Sequence, residues 1–264
     1  MDLGLDGRVA LVTGATSGIG RAVALLLAAE GARVAVTHHT RKGAGEGLVA
    51  EIEAAGGRAL SLPFDLLDPV SAEAAVEQVT DLWGGVDVLV NNAVPWPDSA
   101  PGPGVDRFET LDPADWRRMV RGVVEGTFHL TQQVVPHMRR SGWGRIVSVS
   151  SVQAEGAFVR TTLEEDGIAL VHAYAAAKAA LHGLTRSLSW ELGPYGVLIN
   201  AVLPGPVPGE RAASLPPGEL ERIVAPVATR RASEPVDVAA AVAWLVSARN
   251  ANTTGELVRV AGGL

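Results

Sequence analysis

The chain has no cysteine among its 264 residues, which removes disulfides, thiolate metal sites and a cysteine nucleophile together. It has no long basic run: 22 Lys and Arg stand against 29 Asp and Glu, a formal charge of −7. A general nucleic-acid or membrane-surface binder is therefore not expected. The opening residues, MDLGLDGRVALVTG, have no basic segment ahead of an apolar one, so no secretion signal is read there. The longest unbroken apolar stretch nearby, Ala22–Ala29, is far too short to cross a bilayer. Neither an internal repeat nor a low-complexity linker is present. What the sequence does have is hydrophobic residues, 47% of the total and spread throughout. That content fills a sizeable core and argues against disorder. A soluble, cytoplasmic protein folded as one domain over residues 1–264 is expected.

Short β-branched runs alternate with longer stretches of helical period. Strands are expected at Arg8–Val12, Arg33–Thr37, Ala59–Pro63, Val86–Val90, Gly144–Ser150, Val197–Leu203 and Leu257–Val260. Helices are expected at Ile19–Glu30, Gly47–Ala55, Ser71–Leu82, Pro113–Met138, Ala173–Leu192 and Pro235–Ser247. Strands joined by crossover helices pair in parallel, so the fold class is α/β: a doubly wound parallel sheet of seven strands with helices on both faces. Three segments fit no element: Pro95–Gly104, Ser151–His172 with its Glu164-Glu165-Asp166 patch, and Pro204–Pro217. They read either as substrate loops, with bounds near 94–107, 152–172 and 204–220, or as surface excursions.

Four motifs carry chemistry, and each has a plain structural reading beside the functional one. Thr13-Gly14-Ala15-Thr16-Ser17-Gly18-Ile19-Gly20 lies between the first strand and the first helix. Glycines there let backbone approach a pyrophosphate, and the helix N-terminus favours its charge; a tight turn would use the same residues. Asn91-Asn92-Ala93 follows the fourth strand, facing the crevice or simply making a turn. Tyr174 and Lys178 are four residues apart, on one helix face. An ammonium beside a phenol lowers its pKa and makes it a proton donor for a carbonyl oxygen, although such pairs also arise by chance. Ser150-Ser151 closes the fifth strand, where a hydroxyl can bind a carbonyl oxygen or cap the loop.

Taken in order, these residues resemble the short-chain dehydrogenase/reductase family. The resemblance runs from Val9-Ala10-Leu11-Val12-Thr13-Gly14 through Phe64-Asp65-Leu66 and Leu203-Pro204-Gly205-Pro206-Val207 to Thr254-Gly255-Glu256-Leu257-Val258-Arg259-Val260-Ala261-Gly262-Gly263. It implies a Rossmann-type sheet, a nicotinamide cofactor and hydride transfer at a carbonyl carbon. By matching position, Tyr174 would be the general acid. Lys178 would hold the nicotinamide ribose and depress the Tyr174 pKa, and Ser151 rather than Ser150 would orient the carbonyl. Gly14, Ser17, Ile19 and Gly20 would cradle the pyrophosphate. Asp65 and Leu66 would border the adenine, Asn92 and Ala93 the adenosine ribose, and Pro204 and Val207 the carboxamide. Homo-oligomers, dimers or tetramers, are also implied, through the helices near Trp116–Met138 and Ala173–Leu192. The Ala-rich face at Ala175–Ala180 fits that, or packing on the sheet.

The sequence departs from the family pattern in three places. Val94, followed by Pro95, stands where Gly is usual after Asn-Asn-Ala. Val123 stands seven residues after Trp116, where the family places an Asn that supports a water relay to the lysine. The segment between Ser151 and Tyr174 is longer than the common spacing, which implies an enlarged or lidded substrate pocket. The end of the second strand carries His38, His39, Thr40, Arg41 and Lys42, with no carboxylate before Glu46. An acidic residue there would favour NAD, so this set favours NADP(H) and the reductive direction. No metal is expected, because His38 and His39 have no evident third ligand.

The expected function is reduction, with NADPH, of a fairly bulky, apolar, polyketide-like ketone. A 3-oxoacyl carrier-protein reductase is the alternative within the class, with Arg117, Arg118, Arg121, Arg139 and Arg140 as a docking surface or merely a solvated helix face. A catalytically weakened NADP-binding regulatory protein is the alternative of another class, suggested by Val94 and Val123.

Overall fold

The computed structural model describes residues 2–96, 108–156, 171–208 and 217–264. Seven strands form one sheet: β1 (Val9–Val12), β2 (Arg33–His38), β3 (Arg58–Pro63), β4 (Val88–Asn91), β5 (Gly144–Val149), β6 (Val197–Pro204) and β7 (Leu257–Val260). Their spatial order is β3-β2-β1-β4-β5-β6-β7, and every pair is parallel. Strand order therefore reverses between β1 and β4, which opens a crevice at their carboxyl ends.

Alternation along each strand builds two apolar layers. Ala10, Val12, Val88, Val90, Val147 and Val202 point into one core, shared with α1 (Gly18–Ala29) and α8 (Pro235–Val246). Val9, Leu11, Leu89, Ile146 and Ile199 point into the other, shared with α3 (Pro69–Trp83) and α5 (Gly126–Ser141). Two-sided burial is why these strands read as nearly continuous Val, Leu and Ile.

Helix boundaries follow local chemistry. Asp68 caps α3 by accepting the Val70 N–H at 3.0 Å, with Pro69 at the first turn. The second helix, α2 (Lys42–Ala54), starts five residues earlier than its propensity suggests, through Gly43, Gly45 and Gly47. Gly45 is required by packing: a Cβ there would overlap the Ser61 hydroxyl. The single helix expected over Pro113–Met138 is α4 (Pro113–Val120), a π-helical turn (Arg121–Glu125) and α5. The long helix α6 (Val171–Leu192) begins two residues before its expected start. A short helix, α7 (Glu219–Val224), was not expected at all.

Most of the segment 94–107, the acidic patch at 164–166 and the middle of 204–220 lie outside the described residues. Among the described residues no helix is long and apolar enough to cross a membrane. No group of three or more His, Cys, Asp or Glu there is arranged to hold a metal.

Candidate active site

A cavity of about 880 Å³ opens at the carboxyl ends of the central strands. Its frame is a set of hydrogen bonds that joins β1 to β4. The Thr13 hydroxyl accepts the N–H groups of Asn92 at 2.9 Å and Ala93 at 3.0 Å, and donates to the Val90 carbonyl. The Asn92 amide donates to the carbonyl oxygens of Thr13 and Gly14 at 2.9 and 3.2 Å. The Gly14 N–H reaches Thr37 on β2 at 3.2 Å. The strand ends and the glycine turn are thus one rigid unit.

Gly14 sits at φ +63°, and a Cβ on it would come within 2.9 Å of the Ala93 backbone, so only glycine fits. Gly20 is equally constrained: its Cβ would meet the Gly14 carbonyl oxygen and the Asn92 amide at 2.5 Å. Gly20 does not line the cavity; it lies beneath the turn and lets helix α1 approach it. The first turn of α1 faces the cavity through Gly18 and Ile19, and Ser17 does not cap it with its own side chain. The N–H groups of that turn remain available to an anion.

The other residues assigned from the sequence to catalysis or cofactor binding line this cavity: Gly14, Ser17 and Ile19; His38, His39, Thr40 and Arg41; Asp65 and Leu66; Asn92 and Ala93; Ser151, Tyr174 and Lys178; Pro204 and Val207. At the β2 end, the buried His38 ring pairs with the Ser61 hydroxyl at 2.9 Å, and burial holds its pKa below the usual range. His39 is exposed, 3.6 Å from Asp65. Arg41 reaches back to the Ser17 hydroxyl at 3.2 Å, while Lys42 pairs with Glu46 on its own helix.

At the opposite end, Ser151, Tyr174 and Lys178 converge. Ser151 follows β5 and caps the 3₁₀ turn Val152–Glu155, accepting the Gln153 N–H at 3.2 Å; its hydroxyl is also hydrogen-bonded to the Tyr174 phenol. Ser150 is committed elsewhere, with its hydroxyl 2.8 Å from His182 Nε2 and donating to the Lys178 backbone carbonyl. Lys178, only 2% exposed, donates from Nζ to the Val149 carbonyl at 2.5 Å.

The electrostatics correct one expectation. An ammonium four residues along the helix was expected to lower the Tyr174 pKa. Instead burial raises it to about 12, opposed by the Ser151 hydrogen bond alone. The Lys178 Nζ lies 5.6 Å from the phenol ring centroid, and burial lowers its own pKa to about 7. Desolvation outweighs proximity for both groups.

The two substituted positions of the family pattern share one environment. Val123, 1% exposed and central in the π turn, packs with Met119, Ala173, Ala177 and Leu181. Val94 and Tyr174 pack against that same cluster. Of the residues the sequence did not single out, Trp96 stacks on Tyr174 with ring centroids 5.2 Å apart and planes 22° from parallel. Thr37, the Val149 carbonyl and His182 complete the support. These partners come from distant strands and helices, and no spacing in the sequence announces them.

An α/β sheet with a glycine turn at its switch point and a Ser–Tyr–Lys cluster across the crevice defines a nucleotide-dependent oxidoreductase class. A family model described as enoyl-(acyl carrier protein) reductase matches residues 14–264. The chain is 34% identical to the 3-oxoacyl-[acyl-carrier-protein] reductase FabG of Vibrio cholerae serotype O1, over 99% of each chain. It is 37% identical to the short-chain reductase protein NovJ of Streptomyces niveus, over 97% of this chain and 93% of NovJ. A solved structure of 7α-hydroxysteroid dehydrogenase, complexed with NADH and 7-oxo glycochenodeoxycholic acid, superimposes with a TM-score of 0.85 at 31% identity. The match covers 99% of this chain and 96% of that one. The chain belongs to the short-chain dehydrogenase/reductase family and is an oxidoreductase acting on the CH–OH/C=O pair.

Proposed function

We propose that the protein is an NADPH-dependent ketoreductase for a fairly bulky, apolar ketone. The observation that carries this reading is the convergence of Ser151, Tyr174 and Lys178 on one cavity wall, across from a glycine turn that a pyrophosphate would fit. The fit of the nicotinamide dinucleotide rests on that turn: Gly14 leaves no room for a side chain, and the uncapped first turn of α1 offers N–H donors.

When bound, the reduced cofactor supplies a hydride to the carbonyl carbon. The chain's own residues do the rest. Ser151 holds the carbonyl oxygen by its hydroxyl, and Tyr174 donates the proton that oxygen needs as it becomes an alcohol. Burial keeps the phenol protonated far above neutral pH, the state a donor requires in the reducing direction. Lys178 faces the cavity beside it as the group that binds the nicotinamide ribose.

NADPH over NADH is supported by the β2 end. Among the described residues no carboxylate pairs with Arg41, whose guanidinium lies at the cavity lining beside the Ser17 hydroxyl and supplies a charge that a 2′-phosphate would pair with. The 7α-hydroxysteroid dehydrogenase structure holds NADH, so the choice is tested directly. Arg41→Ala should weaken NADPH binding about tenfold and leave NADH unchanged.

The founding test is titration with NADPH and NADH by fluorescence, followed by a ketone panel. Tyr174→Phe should abolish ketone reduction and keep NADPH affinity; reduction that survives removes Tyr174 as the acid. The FabG relatives favour a second reading, a 3-oxoacyl thioester substrate on a carrier protein. The proposed arginine docking face is partly engaged within the chain: Arg121 pairs with Glu125 and Arg139 with Glu191. Reduction of a 3-oxoacyl N-acetylcysteamine thioester in preference to every bulky ketone would decide for that reading.

A further inference from the structure

The wall of the cavity beside Tyr174 is built from two of the three places where this chain departs from the family pattern. Val94-Pro95-Trp96 leaves β4, and its turn is closed by the Trp96 N–H donating to the Val94 carbonyl at 2.9 Å. Pro95 fits against Gly122 in the π turn so closely that a Cβ on Gly122 would overlap the proline ring. Arg118 adds a long hydrogen bond, 3.4 Å, from Nε to the Pro95 carbonyl. Behind them Val94 and Val123 pack in the cluster that backs Tyr174. The segment that carries Trp96 is thus held at three points before any ligand arrives, with the indole stacked on the phenol ring and 42% of the Trp96 surface still exposed.

A carbonyl that takes a proton from the Tyr174 hydroxyl must sit about 3 Å from it. The groups on the carbonyl carbon then lie within reach of the indole. A ring conjugated to the carbonyl is coplanar with it and presents a flat face, which an indole binds by offset stacking. A puckered saturated ring presents axial hydrogens and makes fewer contacts. The exposed face of the indole is apolar and π-rich, so it favours a flat apolar group over an anionic substituent.

We propose that Trp96 is a specificity-determining residue, a preorganised aromatic platform that selects ketones whose carbonyl is conjugated to an aromatic ring. This rests on the ketone-reduction reading above and narrows its substrate class. Val94, Pro95, Gly122 and Val123 are its mounting: small or apolar residues that let the two segments close on each other.

The test compares 1-tetralone with 1-decalone, which share a carbon skeleton and differ in aromaticity, in wild type, Trp96→Phe and Trp96→Leu. Each variant is read against wild type with the same ketone, which cancels the intrinsic reactivity of the two carbonyls. Trp96→Leu is expected to lower kcat/KM for 1-tetralone about tenfold and for 1-decalone less than threefold. Trp96→Phe should recover most of the tetralone rate, and NADPH affinity should be the same in all three proteins. An equal fall for both ketones, or a fall in NADPH affinity that matches the loss of rate, overturns the platform. Wild-type reduction of 1-decalone but not 1-tetralone overturns it too, and leaves ketone reduction standing. Tight NADPH binding with turnover of neither ketone nor any in the wider panel removes ketone reduction, and the platform with it.

Discussion

Lys178 makes a quantitative prediction because burial lowers its pKa from 10.5 to about 7. Between those values the unfolded chain carries the proton and the folded chain does not, so stability rises with pH across this window. The penalty is complete below pH 7, at roughly 4–5 kcal/mol, and vanishes above pH 10.5. From pH 7 to pH 9 the folded state should gain about 2 kcal/mol from this one group. Lys178→Met keeps the chain's bulk and removes the charge. It also leaves the Val149 carbonyl without its donor, a loss of about 1–2 kcal/mol. Net, the variant should exceed wild type by about 3 kcal/mol at pH 6, and that margin should shrink by about 2 kcal/mol between pH 7 and pH 9. The Tyr174 phenol, raised from 10 to about 12, changes stability only above pH 10 and leaves the window clear. The assay is urea denaturation at pH 6, 7, 8 and 9, at fixed protein concentration, with m-values compared between the two proteins. Parallel stability–pH curves would refute the reasoning, because they would mean that Lys178 titrates alike in both states. The variant should also fail to reduce ketones, which makes the lysine a group retained at a stability cost.

Gly20→Ala should fold poorly or lose NADPH binding, since its Cβ meets the Gly14 carbonyl and the Asn92 amide at 2.5 Å; wild-type affinity by fluorescence titration would contradict this. Arg145→Leu should lose about 3 kcal/mol in urea denaturation. Its guanidinium donates to the backbone carbonyls of Gly144, Gly196, Ser247 and Asn250, which join β5 to two other chain segments. Val123→Asn, which restores the usual family residue, should destabilise by about 2 kcal/mol by burying an amide among apolar side chains. It should bring no gain in kcat; faster turnover at unchanged stability would mean that a water relay had been lost and regained.

The five inner strands were legible because two-sided burial leaves apolar runs that no surface helix would carry, and the edge strands β3 and β7, only partly buried, by their place in the alternation of strands and helices. Helix limits were less so. The glycine-rich start of α2 contradicts its intrinsic propensity, and only the closeness of Ser61, sixteen positions further on, explains Gly45. The π turn has no periodicity of its own to read, since the apolar spacing of Pro113–Met138 runs through it. The cavity residues could be named from motifs, because each motif follows a strand whose carboxyl end faces the crevice. Their electrostatics could not be named that way. Spacing put Lys178 on the Tyr174 face of α6, but whether an ammonium lowers a phenol's pKa or burial raises it depends on what encloses both.

The reading of Val94 and Val123 as marks of a decayed enzyme assumes that they are independent losses. In the structure they are neighbours in one cluster, and the residues beside them meet as well: Pro95, next to Val94, packs where a Cβ on Gly122, next to Val123, would overlap it. Decay of a site that no longer turns over would leave polar groups unpaired and packing slack around the former acid. Here Tyr174 keeps its Ser151 hydrogen bond and gains an aromatic neighbour, and Lys178 remains buried with its amine on the Val149 carbonyl. A pure nucleotide binder would have no use for a phenol and a serine hydroxyl kept together on the cavity wall. The departures therefore read as a rebuilt substrate wall around retained chemistry, and the Gly122→Ala variant separates the two accounts. Its Cβ would displace Pro95 and with it Trp96. A rebuilt wall predicts that tetralone reduction falls about as far as in Trp96→Leu while NADPH affinity holds. A decayed site predicts no turnover to lose.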